Sequence, residues 1–118
     1  MTNLVTPLAG QKYMSLITFR KSGIAVPLPI WFAESGGRFY VMTRGDSFKI
    51  KRIRNNPRVK VAACTLRGRI TGPEMEATAR ILPAEDWPTA RRLLARKYWL
   101  MRVPFFWSRQ NIFVEISG

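Results

Sequence analysis

The sequence predicts a mainly β domain: a small antiparallel barrel of about six strands with two helices packed on it. Three observations predict this class. Six runs of apolar and β-leaning residues are separated by turns rich in Gly, Pro and Asn. Only two segments carry helical spacing. The 118 residues, 47% hydrophobic and 23% charged, suit one globular domain that buries ~two thirds of its unfolded surface.

The elements follow in order. "YMSLITFR", 13–20, reads as a strand, and "KSG" supplies a turn. "IAVPLPIWFAE", 24–34, reads as a second strand. Pro27 and Pro29 sit two apart in it and face the same way. Proline donates nothing to a ladder, so that side belongs at an edge, at a bulge or facing a ligand. "SGG" turns the chain into a third strand, "RFYVMTR", 38–44, giving a meander. Ser47 then caps a short helix over 47–55, with Ile50 and Ile53 as its apolar stripe. Asn55, Asn56 and Pro57 stop it. "RVKVAACTL", 58–66, and "EMEATARIL", 74–82, alternate as strands around the loop "RGRITGP". The longest helix is expected over 84–100, where Trp87, Ala90, Leu94 and Tyr98 share a face and Pro88 fits only the first turn. "NIFVEI", 111–116, closes the set. No internal repeat or linker interrupts it.

Twenty Lys and Arg against seven Asp and Glu give a net charge of +13, which calls for anionic partners. The chain has no histidine, which removes Ser-His-Asp and Cys-His catalysis and most zinc chemistry. A single cysteine, Cys64, forms no intrachain disulfide, and a cytoplasmic setting is expected. "MTNLVTPLAG" is not read as a signal peptide, and no apolar run approaches the ~20 residues of a membrane span.

The richest candidate site lies in 43–60. A strand ends in Thr43, Gly45-Asp46 turns, and Ser47 opens a helix with Lys49 in its first turn. A helix N-terminus offers free N–H groups and a positive dipole end. Hydroxyls at Thr43 and Ser47 and charges at Lys49 and Lys51 complete a phosphate cradle. The competing reading is a capped, solvated basic helix. Trp31, Phe39 and Tyr40 could stack bases in a nucleic-acid binder, but strand aromatics are more often core, and no RNA-binding signature accompanies them. The apolar segment "YWLMRVPFFW", 98–107, is read as buried against the barrel or a dimer interface; the alternative is a lipophilic substrate wall or a membrane-resting edge. Cys64 reads as a small buried hydrophobe. Glu74 and Glu76 alternate without surroundings that would make them an acid–base pair.

The ordered set "TFRKSGIAVPLPIWFAESGGRFYVMTRGDSFKIKRIRNNPRVKVAAC", "RGRITGP" and "LLARKYWL" resembles the split-barrel flavin-binding superfamily of pyridoxamine 5′-phosphate oxidase. More narrowly, it resembles the actinobacterial branch of enzymes dependent on the deazaflavin coenzyme F420. The resemblance runs from about residue 14 to the C-terminus, and its most specific piece is Ser-x-Lys followed by Asn-Pro-x-Val. It implies a split six-stranded barrel that forms a homodimer with two interface sites. It places the cofactor ring along Leu28, Pro29, Ile30 and Trp31, and along Val41, Met42 and Thr43. It places the phosphate at Ser47 and Lys49, where the residues alone had already placed an anion. Lys51 and Arg52 come next, for a long anionic tail. The chain ends without the arginine- and histidine-bearing segment of the oxidases proper, so that activity is not expected. Phe48 stands where flavin-mononucleotide (FMN) oxidases often carry a second basic residue, which favours the deazaflavin over FMN.

The expected function is hydride transfer between a deazaflavin and an organic, hydrophobic substrate, needing neither histidine nor metal. An FMN enzyme of the same fold, a non-catalytic cofactor carrier and, more remotely, a nucleic-acid binder are the competing readings.

Overall fold

Residues 4–98 and 111–118 are described by a computed structural model. They form a short helix α1 (Val5–Leu8), strands β1 (Tyr13–Phe19), β2 (Ala25–Ile30), β3 (Ala33–Ser35) and β4 (Arg38–Arg44), and helix α2 (Phe48–Asn55). Strands β5 (Arg58–Cys64) and β6 (Met75–Ile81), helix α3 (Trp87–Lys97) and strand β7 (Asn111–Ser117) follow. All strands join one antiparallel sheet in the order β2-β1-β5-β6-β7-β4-β3.

This order dictates a barrel. Laid flat, seven strands would stand roughly 29 Å across. Yet β2 and β3, at opposite ends of the order, are joined by Trp31 and Phe32 alone. Three Cα–Cα steps reach at most ~11 Å. The sheet must therefore curl until its ends meet. The predicted second strand, 24–34, is thus two strands: its first half pairs with β1 and its second with β4. That break turns the expected six strands into seven.

Several local expectations meet the structure here. Among the described residues β2 is an edge strand paired with β1 alone, which tolerates Pro27 and Pro29. Ser35 and Arg38 close a two-residue hairpin whose central Gly36 and Gly37 have φ of 62° and 82°. Such a turn requires positive φ at both positions, which glycine adopts without strain. Pro88 sits in the first turn of α3. The sequence reading missed α1, which makes three helices where two were expected; four residues around Pro7 are too few for a periodic signal. Residues 84–86 form a 3-10 turn leading into α3, and the remainder of 98–107 beyond Tyr98 lies outside the described residues.

The barrel interior holds Met14 and Leu16 of β1, Phe39 and Val41 of β4, Val59 and Val61 of β5, and Val114 and Ile116 of β7. Ile50 and Ile53 plug it from α2, as their i, i+3 spacing predicts. A second apolar cluster lies outside the sheet, where Ala90, Leu94 and Tyr98 pack on Ala33, Leu82 and Phe113. Also on the outer face, Glu115 accepts bonds from Arg38 at 3.2 Å, the Tyr40 hydroxyl at 3.2 Å and Arg80 at 3.4 Å, tying β4, β7 and β6 together. Burial, followed by the Glu115 carboxylate, raises the Tyr40 pKa.

The strand break is held by Tyr98. Its hydroxyl accepts the Phe32 N–H at 3.1 Å. It also lies 2.9 Å from the Phe32 carbonyl and 2.6 Å from the Lys12 carbonyl, with one proton to donate between them. Its ring stacks on Trp31, centroids 4.5 Å apart at 4°. Phe32 leaves the ladder at this point, and Tyr98 satisfies the backbone groups it would otherwise bury unpaired.

Tyr98→Phe keeps the stack and removes the hydroxyl. It should cost about 1–3 kcal/mol in chemical denaturation, the price of an unpaired buried N–H. Burial pushes the Tyr98 phenol up to about 12, whereas the unfolded chain titrates near 10. Its contribution is therefore complete below about pH 10 and is lost as the pH rises toward about 12. Denaturation series across that window should show the loss in the wild type and a flatter response in Tyr98→Phe.

Candidate functional site

The β3–β4 register sets Ala33 opposite Tyr40. Continued in step, it would bring Trp31 opposite Met42 and Ile30 opposite Thr43. The break prevents this, because β2 turns away to pair with β1. Among the described residues, the stretch Val41–Arg44 of β4 has β7 on one edge and no strand on the other. This interruption of the pairing, the slot, falls between two lips, Leu28–Trp31 and Val41–Thr43, the two stretches to which the resemblance assigns the cofactor ring.

Within the slot the side chains divide. Val41 is buried in the core and Ile30 packs against it, so Val41 presents backbone rather than side chain. Trp31 is committed to Tyr98, and Met42 packs toward α3 with its sulfur 3.5 Å from the Asn111 amide. Leu28 and Pro29 are exposed and Thr43 is half-buried. Phe39 is buried and Tyr40 is bonded to Glu115, so the aromatics considered for base stacking are all engaged within the fold.

At the end of β4 the chain turns tightly, with Ser47 N–H bonded to the Arg44 carbonyl at 3.1 Å. Asp46 is engaged by Arg44 through two 3.1 Å bonds. Ser47 caps α2, its Oγ accepting the Ile50 N–H at 3.4 Å. The same Oγ lies 3.4 Å from Thr43 Oγ1. Both contacts are long, so both hydroxyls can redirect toward an anion at little cost. The N–H groups of Phe48 and Lys49 have no intrahelical partner in this first turn. Lys49 is half-buried; desolvation first, and the Arg52 charge second, lower its pKa.

Arg52 is fixed by a 2.6 Å bond from Nε to Thr18 Oγ1 on β1. Its own pKa is lowered by burial and then by Arg20. Arg20, Lys21, Lys51 and Arg52 line a cleft of about 470 Å³ with Phe48 and Asn55. No acid lines it, so like charges stand together uncompensated, and an anion would relieve them. Sequence reasoning found Lys51 and Arg52 but missed Thr18, Arg20 and Lys21. The basic pair before Ser22-Gly23 was visible, but its approach to α2 depends on how the barrel closes.

A larger cleft of about 620 Å³ lies at the other end of α2, between Phe19, Arg58, Lys60, Glu76 and Thr78. Its lining does not include the N-terminal turn of α2. Cys64 is buried and burial raises its pKa, which suits a packing residue rather than a nucleophile. Among the described residues, no group of three or more metal-ligating side chains comes together, and no helix is long and apolar enough to cross a membrane.

Ser47→Ala should cost roughly 0.5–2 kcal/mol of stability through the lost cap, readable by thermal denaturation.

Known proteins share this architecture. A heme storage protein from Vibrio cholerae superposes with TM-score 0.73 at 13% identity, over 92% of this chain and 82% of its own. An FAD-binding protein from Mesorhizobium loti gives 0.67 at 19% identity, over 94% and 82%. A protein of unknown function from Agrobacterium tumefaciens gives 0.76 at 12% identity; this chain is covered over 98% but spans 56% of that protein's length. No curated protein matches by sequence. The sequence profile described as pyridoxamine 5′-phosphate oxidase matches residues 2–104. With that match over most of its length, on a curled antiparallel sheet with a slot in its wall, the chain belongs to the pyridoxamine 5′-phosphate oxidase family.

Proposed function

We propose that this protein is an oxidoreductase that binds coenzyme F420 and transfers a hydride between it and an organic, hydrophobic substrate. FMN is the alternative cofactor. The observation that carries the reading is the junction of slot and cradle: the lips Leu28–Trp31 and Val41–Thr43 run into the Thr43 and Ser47 hydroxyls, which lie 3.4 Å apart beside a desolvated Lys49.

The residues fit an elongated, planar, anionic cofactor. Ser47 and Lys49 would hold its phosphate, with the first-turn N–H groups of α2. Leu28 and Pro29 offer an apolar surface to a ring, and Val41–Thr43, which no described strand pairs on that side, offer backbone donors and acceptors. Lys51 and Arg52 would meet an anionic tail in the cleft beyond. That second cationic cleft favours the deazaflavin, whose oligoglutamate tail outreaches the phosphate of FMN. The bound cofactor supplies the hydride; the chain supplies orientation, charge and exclusion of water. The protein acts as a cytoplasmic homodimer in this reading, the partner covering the slot. The heme storage neighbour suggests another ligand, but this chain has no histidine to ligate iron and its one cysteine is buried.

Titration of the wild type and Lys49→Ala with coenzyme F420 and with FMN tests the assignment. A charge-assisted phosphate contact contributes ~1.5–3 kcal/mol, so Lys49→Ala should weaken binding roughly ten- to a hundredfold. Unchanged affinity for both cofactors would remove Lys49 from the site. Because the ammonium is the binding form and its pKa is lowered, affinity should fall as the pH rises through that pKa. Substrate-dependent bleaching of the bound cofactor distinguishes an enzyme from a carrier.

A further inference from the structure

The exposed face of α2 is unusual. At 100° per residue, Ile50 and Ile53 turn inward while Phe48, Lys51, Arg52 and Asn55 gather on the opposite side. Phe48 is 73% exposed there, with the Lys51 ammonium 5.5 Å from its ring centroid. The β1–β2 hairpin tip borders the same cleft through Arg20 and Lys21. Its turn is closed by Arg20 N–H on the Ile24 carbonyl at 2.9 Å, and Ile24 is 56% exposed. Two large apolar side chains therefore protrude, Phe48 from the lining of the cationic cleft and Ile24 from the hairpin tip that carries Arg20 and Lys21, and no acid lines that cleft.

We propose that this end of the barrel, the β1–β2 tip with the outer face of α2, docks on an anionic lipid bilayer. Phe48 and Ile24 enter the headgroup–acyl boundary, and Arg20 and Lys21 of the hairpin tip, the cations of the cleft that the cofactor reading does not use, engage the lipid phosphates. Such surfaces combine apolar insertion with electrostatic attraction, and each cation near the surface contributes roughly fivefold in affinity. The exposed apolar pair decides the occupant. A nucleic-acid backbone would use the charges and has no use for an exposed isoleucine. A bilayer uses both. Docking would also place the barrel beside lipophilic compounds, but the contact stands without the cofactor reading.

Co-sedimentation with vesicles tests this on the full chain. Vesicles of about seven parts phosphatidylcholine to three parts phosphatidylglycerol, at roughly 0.1 M salt, should pellet the protein, and pure phosphatidylcholine should not. Phe48→Ser and Ile24→Ser should each weaken that binding about tenfold. The thermal midpoint and cofactor affinity of Ile24→Ser, which lies outside the cofactor site, should stay unchanged, which separates this result from the titration above. Arg20→Glu with Lys21→Glu should abolish pelleting. Absence of binding to the anionic vesicles overturns the proposal. So does binding indifferent to both serine variants, which would be charge alone. Single-stranded oligonucleotide binding that falls with Phe48→Ser while vesicle binding does not would assign the surface to nucleic acid instead.

Discussion

One hydroxyl group fixes the geometry on which the slot depends. Tyr98 satisfies Phe32 where the chain leaves one strand pairing and has not yet entered the next. Without that partner, a buried N–H and carbonyl would favour continued pairing of 24–34 along β4. Continued pairing would close the slot and seal the edge Val41–Arg44. The Trp31 stack and the Lys97 ammonium, 3.5 Å from the Phe32 ring centroid, pack the same two residues from either side. Burial lowers Lys97 to about 8, although the ring face favours its charged form. The break is thus over-determined, as an opening maintained in a barrel wall must be. Tyr98 is the C-cap of α3, which is anchored through Ala90 and Leu94, so packing on the outer face of the sheet positions the hydroxyl that satisfies the break.

Charge supplies the second constraint. The surplus of +13 is not spread evenly in its consequences. Arg38 and Arg80 are neutralised on Glu115, and Arg44 on Asp46. Around α2 the cations meet one another instead: Lys49 feels Arg52, and Arg52 feels Arg20. Holding like charges together in partly buried positions lowers stability unless something anionic arrives. Natural chains tolerate such local costs mainly at binding sites.

Much of this was legible in the sequence because the signals were local. Ser47 as a cap, Ile50 and Ile53 as the buried stripe, Gly36-Gly37 as a tight turn and Pro27/Pro29 as an edge each follow from a few neighbouring residues. The family was legible from the order of such motifs. What the sequence hid was non-local. The run 24–34 reads as one strand because both of its halves are strands, and the break rests on a tyrosine 66 residues away. Arg20 and Lys21 reach the α2 cleft only because the barrel closes. Trp31, Phe39 and Tyr40 advertised stacking surfaces, but their partners Tyr98, Phe32 and Glu115 come from elsewhere or act through the fold.

The edge prolines connect these threads. A slot bordered by a strand edge with no described strand alongside it invites closure by β2 or pairing with another chain. Pro27 and Pro29 remove two donors from β2, which reduces what it could offer to a continued ladder. On the opposite lip, Thr43 leads within four residues into the Ser47 cap, so β4 runs into a positive helix terminus. A second strand laid along β4 would meet that terminus with nothing to neutralise it. An elongated ligand with an apolar body and an anionic end meets both conditions at once. The proline chemistry of β2 and the helix chemistry after β4 therefore both disfavour a strand in the slot and suit the elongated anionic ligand proposed above.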